Sequence, residues 1–150
     1  MCIRDRHAIA RGAWLLSDAW LYHSLDAGTL LPEAPFETAA WRGARRAREA
    51  REAGAPLRPL AGVTLAVVEA DAGAHERLAT LARAAGATLT APTRAALCVG
   101  SSGCDARAPR RAGTRGGARG GAPQRVRAEW LYDSVSEGEA QPVDNYGVVA

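Results

Sequence analysis

The segment Leu16-Ser-Asp-Ala-Trp20-Leu-Tyr-His-Ser24-Leu-Asp-Ala-Gly28 recurs as Val126-Arg-Ala-Glu-Trp130-Leu-Tyr-Asp-Ser134-Val-Ser-Glu-Gly138, at a constant offset of 110 residues. The same offset carries Pro32 onto Pro142 and Phe36 onto Tyr146 without a gap. Two unrelated helices do not hold such a register. The chain therefore uses one structural unit twice, and its fold must give both copies equivalent local settings.

Each copy has a mechanical reading. Trp20, Leu21, Ser24 and Leu25 fall on one side of a helix, as do Trp130, Leu131, Ser134 and Val135, so both helices are expected to turn this face to a core. The serine is read as a close-packing position. Gly28 and Gly138 stand where a helix ends in the left-handed conformation. Trp14-Leu-Leu and Arg125-Val-Arg read as short strands leading into the helices. Trp20, Trp130, Gly28 and Gly138, together with Gly86 below, are the residues expected to define the fold.

Between the copies, Trp41 to Ala53 is rich in Ala, Arg and Glu and stops at Gly54 and Pro56, which predicts an exposed linker helix with Arg-to-Glu pairs at 45/49 and 48/52. Leu60 to Glu69 reads as a buried strand. A helix follows, with Leu78, Leu81, Ala82 and Ala85 on one face and Gly86 at its end. Thr88-Leu-Thr and Ala96 to Gly100 supply two further strands. The order β-α-β-β followed by the repeated β-α unit describes an α/β fold: a small parallel four-stranded sheet flanked by helices. Residues 101–124 are rich in Gly and Arg with no apolar period and are expected to form a disordered loop.

Composition removes several function classes. At 150 residues there is room for one ordinary core, not for two full-sized domains. All 19 basic residues are Arg, so mechanisms that need a Schiff-base or phosphate-loop lysine are excluded. Thirteen of those Arg lie in 42–58 and 105–127, leaving an acidic remainder, which fits a folded acidic body with two basic stretches. Cys2, Cys98 and Cys104 are odd in number and form no CxxC, Cys98 reading as a buried small hydrophobe. His7, His23 and His75 stand singly, so no metal site is expected. Hydrolase, metalloprotease and dinucleotide-binding motifs are missing, no cofactor is implied, and no apolar stretch is long enough for a membrane span.

The doubled Trp-centred helix resembles the final helix of BRCT repeats. Gly12-Ala-Trp14-Leu-Leu, Phe36-Glu37, Gly43-Ala-Arg45-Arg-Ala-Arg48-Glu49, Leu60-Ala-Gly62, Gly86-Ala87 and Glu129-Trp130-Leu-Tyr-Asp133-Ser-Val135 are similar to tandem BRCT pairs of the breast-cancer-susceptibility type. The resemblance implies the C-terminal part of a first repeat at 7–36, an inter-repeat linker helix at 37–56, and a complete second repeat at 57–149. Residues 1–6 fit nothing in that scheme and read as the mark of a truncated reading frame.

The resemblance also implies a non-enzymatic, nuclear scaffold of the DNA-damage response and DNA repair that binds phosphoserine proteins through pSer-x-x-Phe peptides. Any catalytic activity, such as that of a RING ubiquitin ligase, would lie outside this sequence. The family's phosphate pocket uses a Ser or Thr hydroxyl, a backbone N–H and a Lys of the first repeat, and it cannot be rebuilt here. What remains is the apolar pocket for the residue three places after the phosphoserine. Tyr132 would form one wall, and Gly73 falls where a well-known member carries a larger residue. An alternative is an Arg/Gly-loop nucleic-acid module, because Arg115-Gly-Gly117 and Arg119-Gly-Gly121 are tandem triplets of the kind that contact RNA or single strands, and the 105–124 loop would carry that contact.

Overall fold

The computed structural model describes residues 3–100 and 123–147. Cys2, Cys104, Arg115, Arg119 and all but the end of the 101–124 loop lie outside the described residues. In chain order the elements are α1 (Ile3–Ala10), α2 (Ala19–Ala27), α3 (Arg42–Glu52), β1 (Thr64–Val67), α4 (Ala72–Ala84), β2 (Thr88–Leu89), β3 (Leu97–Gly100), β4 (Gln124–Arg127) and α5 (Ala128–Glu137), with short 3-10 turns at Ala34–Phe36 and Val143–Tyr146. The four strands form one sheet in the order β2-β1-β3-β4, all pairs parallel. This is the α/β class expected from the sequence.

The central strands are buried on both faces, Ala66 and Cys98 on one side and Leu65 and Val99 on the other. Leu65, Val99 and Val126 point into one cluster with Leu78, Leu81, Ala82 and Ala85 of α4 and Trp130, Leu131 and Val135 of α5. The anticipated strand from Leu60 is shorter at its start: Leu60 to Val63 turns, with Gly62 at φ +81, and pairing begins only at Thr64. Leu60 is nevertheless fully buried, because its N–H donates to the Ala85 carbonyl and holds it under α4. Asp71 caps α4 by accepting from the Ala74 N–H. Gly86 follows that helix at φ +94.

The repeat is preserved down to single hydrogen bonds. The Trp20 indole donates to the Leu31 carbonyl at 2.8 Å, and the Leu31 N–H donates to the Ser24 hydroxyl at 3.2 Å. In the second copy the Trp130 indole donates to the Gln141 carbonyl at 2.8 Å, and the Gln141 N–H donates to Ser134 at 3.1 Å. A Trp and a Ser one turn apart thus clamp both polar groups of the residue that leaves the helix. The serine is more than a close-packing position, which corrects the sequence reading. The Gly28 and Gly138 caps sit at φ +65 and +72, and Leu16 bridges Glu37 as Val126 bridges Gly147.

Only one copy is covered. Leu131 and Val135 are 0% and 1% exposed, but their counterparts Leu21 and Leu25 are 52% and 67% exposed, so the expectation that both helices bury this face holds for α5 alone. Trp20 is half-buried whereas Trp130 is 1% exposed. The strand expected at Trp14 to Leu16 is reduced to the single bridge at Leu16.

The helix α3 is not the exposed linker its polarity suggests. Gly43, Ala44, Ala47 and Arg48 are buried, because α3 packs against both α1 and α5. Residues 3–6, which the sequence left unassigned, are the first part of α1. That helix docks on α3, α4 and α5 and buries Ile9 at 1% exposure.

Candidate functional site

Two places on the molecule gather chemistry-bearing side chains, and α1 and α3 create them. The first is the junction where α1 meets α4 and α5. Tyr132 leaves α5 half-buried, and the Arg6 guanidinium of α1 lies over its ring, 4.3 Å from the centroid. Burial pushes the Tyr132 phenol above its ordinary value. The Arg6 charge opposes that shift, the Glu129 and Glu69 carboxylates add to it, and the Arg77 charge opposes it.

Arg77 of α4 ties Gly73 to this place. A methyl group built on Gly73 would stand 3.1 Å from the Arg77 guanidinium and 3.3 Å from the Asp71 carboxylate. The absence of a side chain at Gly73 lets the Arg77 and Asp71 side chains close over the first turn of α4, while the Arg77 charge also reaches Tyr132. His7, one residue beyond Arg6, is held below its ordinary pKa, first by burial and then by the Arg11 charge, against a hydrogen bond to the Arg77 backbone. The junction is thus an aromatic wall with two guanidinium groups and a nearby carboxylate. An aromatic ring beside guanidinium groups can pack an apolar or aromatic side chain and pair with an acidic one.

The second place is the start of α3. A groove there is lined by Glu37, Trp41, Arg42, Arg45, Arg46 and Glu49, among others. Much of its charge is already balanced. Arg45 meets Glu49 at 3.3 Å and Glu37 at 3.6 Å; Arg46 meets Glu139 at 3.7 Å and donates to the Glu137 carbonyl. Arg48 has left the surface. It donates to both Glu37 oxygens at 2.8 and 3.1 Å and to Glu52 at 2.8 Å, and its guanidinium stacks on Trp14 at 4.0 Å. These bonds hold Arg48 well above its ordinary pKa, led by Glu37, against the cost of burial. The 45/49 and 48/52 pairs read from the sequence both form, but the second serves a buried network that fastens α3 to the exit of the first unit.

The sequence reading named Tyr132 and Gly73 through the resemblance and did not name Arg6, Arg77 or the network around Arg48. One signal was present: Arg6 and Ile9 stand three apart, as two residues on one helix face do. Trp20, Trp130, Gly28, Gly138 and Gly86 are scaffold positions away from this chemistry. Among the described residues no group of three or more His, Cys, Asp or Glu could hold a metal ion, no helix is long and apolar enough to cross a membrane, and Cys98 is buried and forms no disulfide.

No family model matches this chain, and no curated protein matches it. Among solved structures it is similar to BRCT3,4 of Rad4 from S. pombe, with 10% sequence identity and a TM-score of 0.43 over 89% of this chain and 68% of that one.

Proposed function

We propose that the chain is part of a non-catalytic protein-interaction module of the tandem BRCT kind, which reads a peptide at the junction of α1, α4 and α5 and serves a nuclear DNA-damage or DNA-repair assembly. The observation that carries this reading is the half-buried Tyr132 wall, with Arg6 stacked on it and Arg77 beside Gly73. An aromatic side chain of a bound peptide would displace or slide beneath Arg6 and pack on Tyr132. Arg6, stacked on Tyr132, and Arg77, paired with Asp71, are already engaged and add little preference for a phosphate near that aromatic.

Phosphate recognition itself is weak in this chain. A phosphoserine dianion needs two or three charge-assisted donors held in place. The buried guanidinium best held in place, Arg48, is already saturated by Glu37 and Glu52.

Titration calorimetry with a pSer-x-x-Phe peptide and its unphosphorylated twin tests the proposal. The two should bind with affinities equal within about threefold, each weaker than the roughly 8 kcal/mol of a micromolar complex. A clear micromolar preference for the phosphorylated peptide would instead assign the phosphate to an Arg of 42–58.

A further inference from the structure

The groove at the start of α3 is a second place where a ligand fits, apart from the α1–α4–α5 junction. Trp41 lines it together with Ala34 and Ala39 from the segment before the helix and Arg42, Arg45 and Arg46 from its first two turns, around a space of about 370 Å³. Arg42, Arg45 and Arg46 stand at helical spacing on the exposed side of α3, opposite the buried Gly43, Ala44, Ala47 and Arg48. The space is that of a small ligand site, enough for a few side chains of an extended peptide. Its walls are fixed before anything binds. Arg48 of α3 donates to both oxygens of Glu37, which belongs to the facing segment, at 2.8 and 3.1 Å. That segment is fastened in turn by the Thr38 N–H, which donates to the Leu15 carbonyl at 2.9 Å. Trp41 packs against the main core, which holds its indole in place beside the guanidinium groups.

The charge left over in this groove is positive. Glu37 is taken up by Arg48, which is itself buried. Arg45 meets Glu49 at 3.3 Å and Arg46 meets Glu139 at 3.7 Å, with both side chains of each pair at least half in solvent. Ion pairs in that setting contribute little and exchange readily with another carboxylate. Arg42 is exposed and has no hydrogen-bond or ion-pair partner among the described residues. An indole held beside three guanidinium groups, one of them unengaged, is complementary to an apolar side chain flanked by carboxylates. A nucleic acid fits less well, because it needs a continuous basic track. Residues 12–41, which supply the facing wall, contain four carboxylates and no Arg or Lys.

We infer that this groove binds an acidic linear peptide of a partner protein. An apolar side chain of the peptide packs against Trp41, and its neighbouring Asp or Glu carboxylates pair with Arg42 and with Arg45 or Arg46. No phosphate is required. The site is independent of what the α1–α4–α5 junction binds, since it shares none of Arg6, Gly73, Arg77 and Tyr132.

Fluorescence anisotropy of a labelled Asp-Glu-Phe-Glu-Asp peptide titrated with the full chain at low salt tests this. Arg42→Glu should weaken binding by about tenfold or more, whereas Arg94→Glu, the same charge change at an exposed arginine of another loop, should alter it by less than about twofold. Arg42 has no partner to lose, so the thermal midpoint of Arg42→Glu should match that of the native chain. In heteronuclear spectra the peptide should shift the Trp41 indole N–H and leave the Tyr132 amide in place. Four results would overturn the inference. The first is the absence of saturable binding, and the second is equal weakening by Arg42→Glu and Arg94→Glu, which would make the attraction one of net charge alone. The third is a shift at Tyr132 with none at Trp41, which would seat the peptide at the junction. The fourth is tighter binding of a single-stranded oligonucleotide of the same charge, which would make the occupant a nucleic acid.

Discussion

A Trp and a Ser four residues apart are conspicuous in both copies, but what they do depends on hydrogen bonds that residue type alone does not reveal. A serine on a helix face among apolar neighbours is most simply a small side chain that lets elements approach. Here its hydroxyl accepts the backbone N–H of residue 31 or 141 while the indole holds the carbonyl of the same residue. Position 36/146 shows the register tolerating a change of chemistry: Tyr146 donates to Asp133 at 2.9 Å, whereas Phe36 stacks against His23 at 5.6 Å. The cost of removing each Trp should follow burial. Trp130→Ala is expected to lose about 3–5 kcal/mol and Trp20→Ala about 1–2 kcal/mol, since the second indole is only half-covered. Urea denaturation of both variants checks this, and equal losses would mean that α2 is covered as completely as α5.

At the scale of elements, the sheet and α4 were legible because Leu, Val and Ala recur there at strand and helix periods. The role of α3 was not, because its buried stripe is Gly43, Ala44 and Ala47, small residues that carry no hydrophobic signature, and its one long buried side chain is Arg48. Gly43 is required by close approach: a methyl group there would stand 2.6 Å from the Val135 and Ser136 carbonyl oxygens and from the Gly138 nitrogen. None of these is a flexible side chain that could give way. Gly43→Ala should therefore push α3 off the end of α5 and destabilise the protein by about 1–3 kcal/mol, read as a lowered denaturation midpoint. α1 depends on pH through His7. Because the folded state holds this imidazole below its ordinary pKa, protonation favours the undocked helix. The His7 contribution is complete above about pH 6.5 and is lost as pH falls through the lowered value. Thermal melts from pH 7.5 to 5 should show a larger acid-side loss in the native protein than in His7→Gln.

Across the whole molecule, the 110-residue offset made one β-α unit used twice legible from the sequence, while Tyr132 and Gly73 were named only through the family resemblance. It could not show that α1 would bring Arg6 and His7 onto the same junction, since eight residues with a single buried Ile carry little periodicity. The outcome is a molecule with two unequal ends: a complete parallel sheet closed by α5, and a finished but uncovered helix at α2. Between them lies the junction assigned to peptide binding. Backbone chemical-shift mapping tests that assignment most directly, by titrating the chain with a pSer-x-x-Phe peptide and with its unphosphorylated twin. Both peptides should perturb Arg6, Gly73, Arg77 and Tyr132 along similar paths. Perturbations produced only by the phosphorylated peptide, and confined to Arg42, Arg45 and Arg46 at the start of α3, would contradict it.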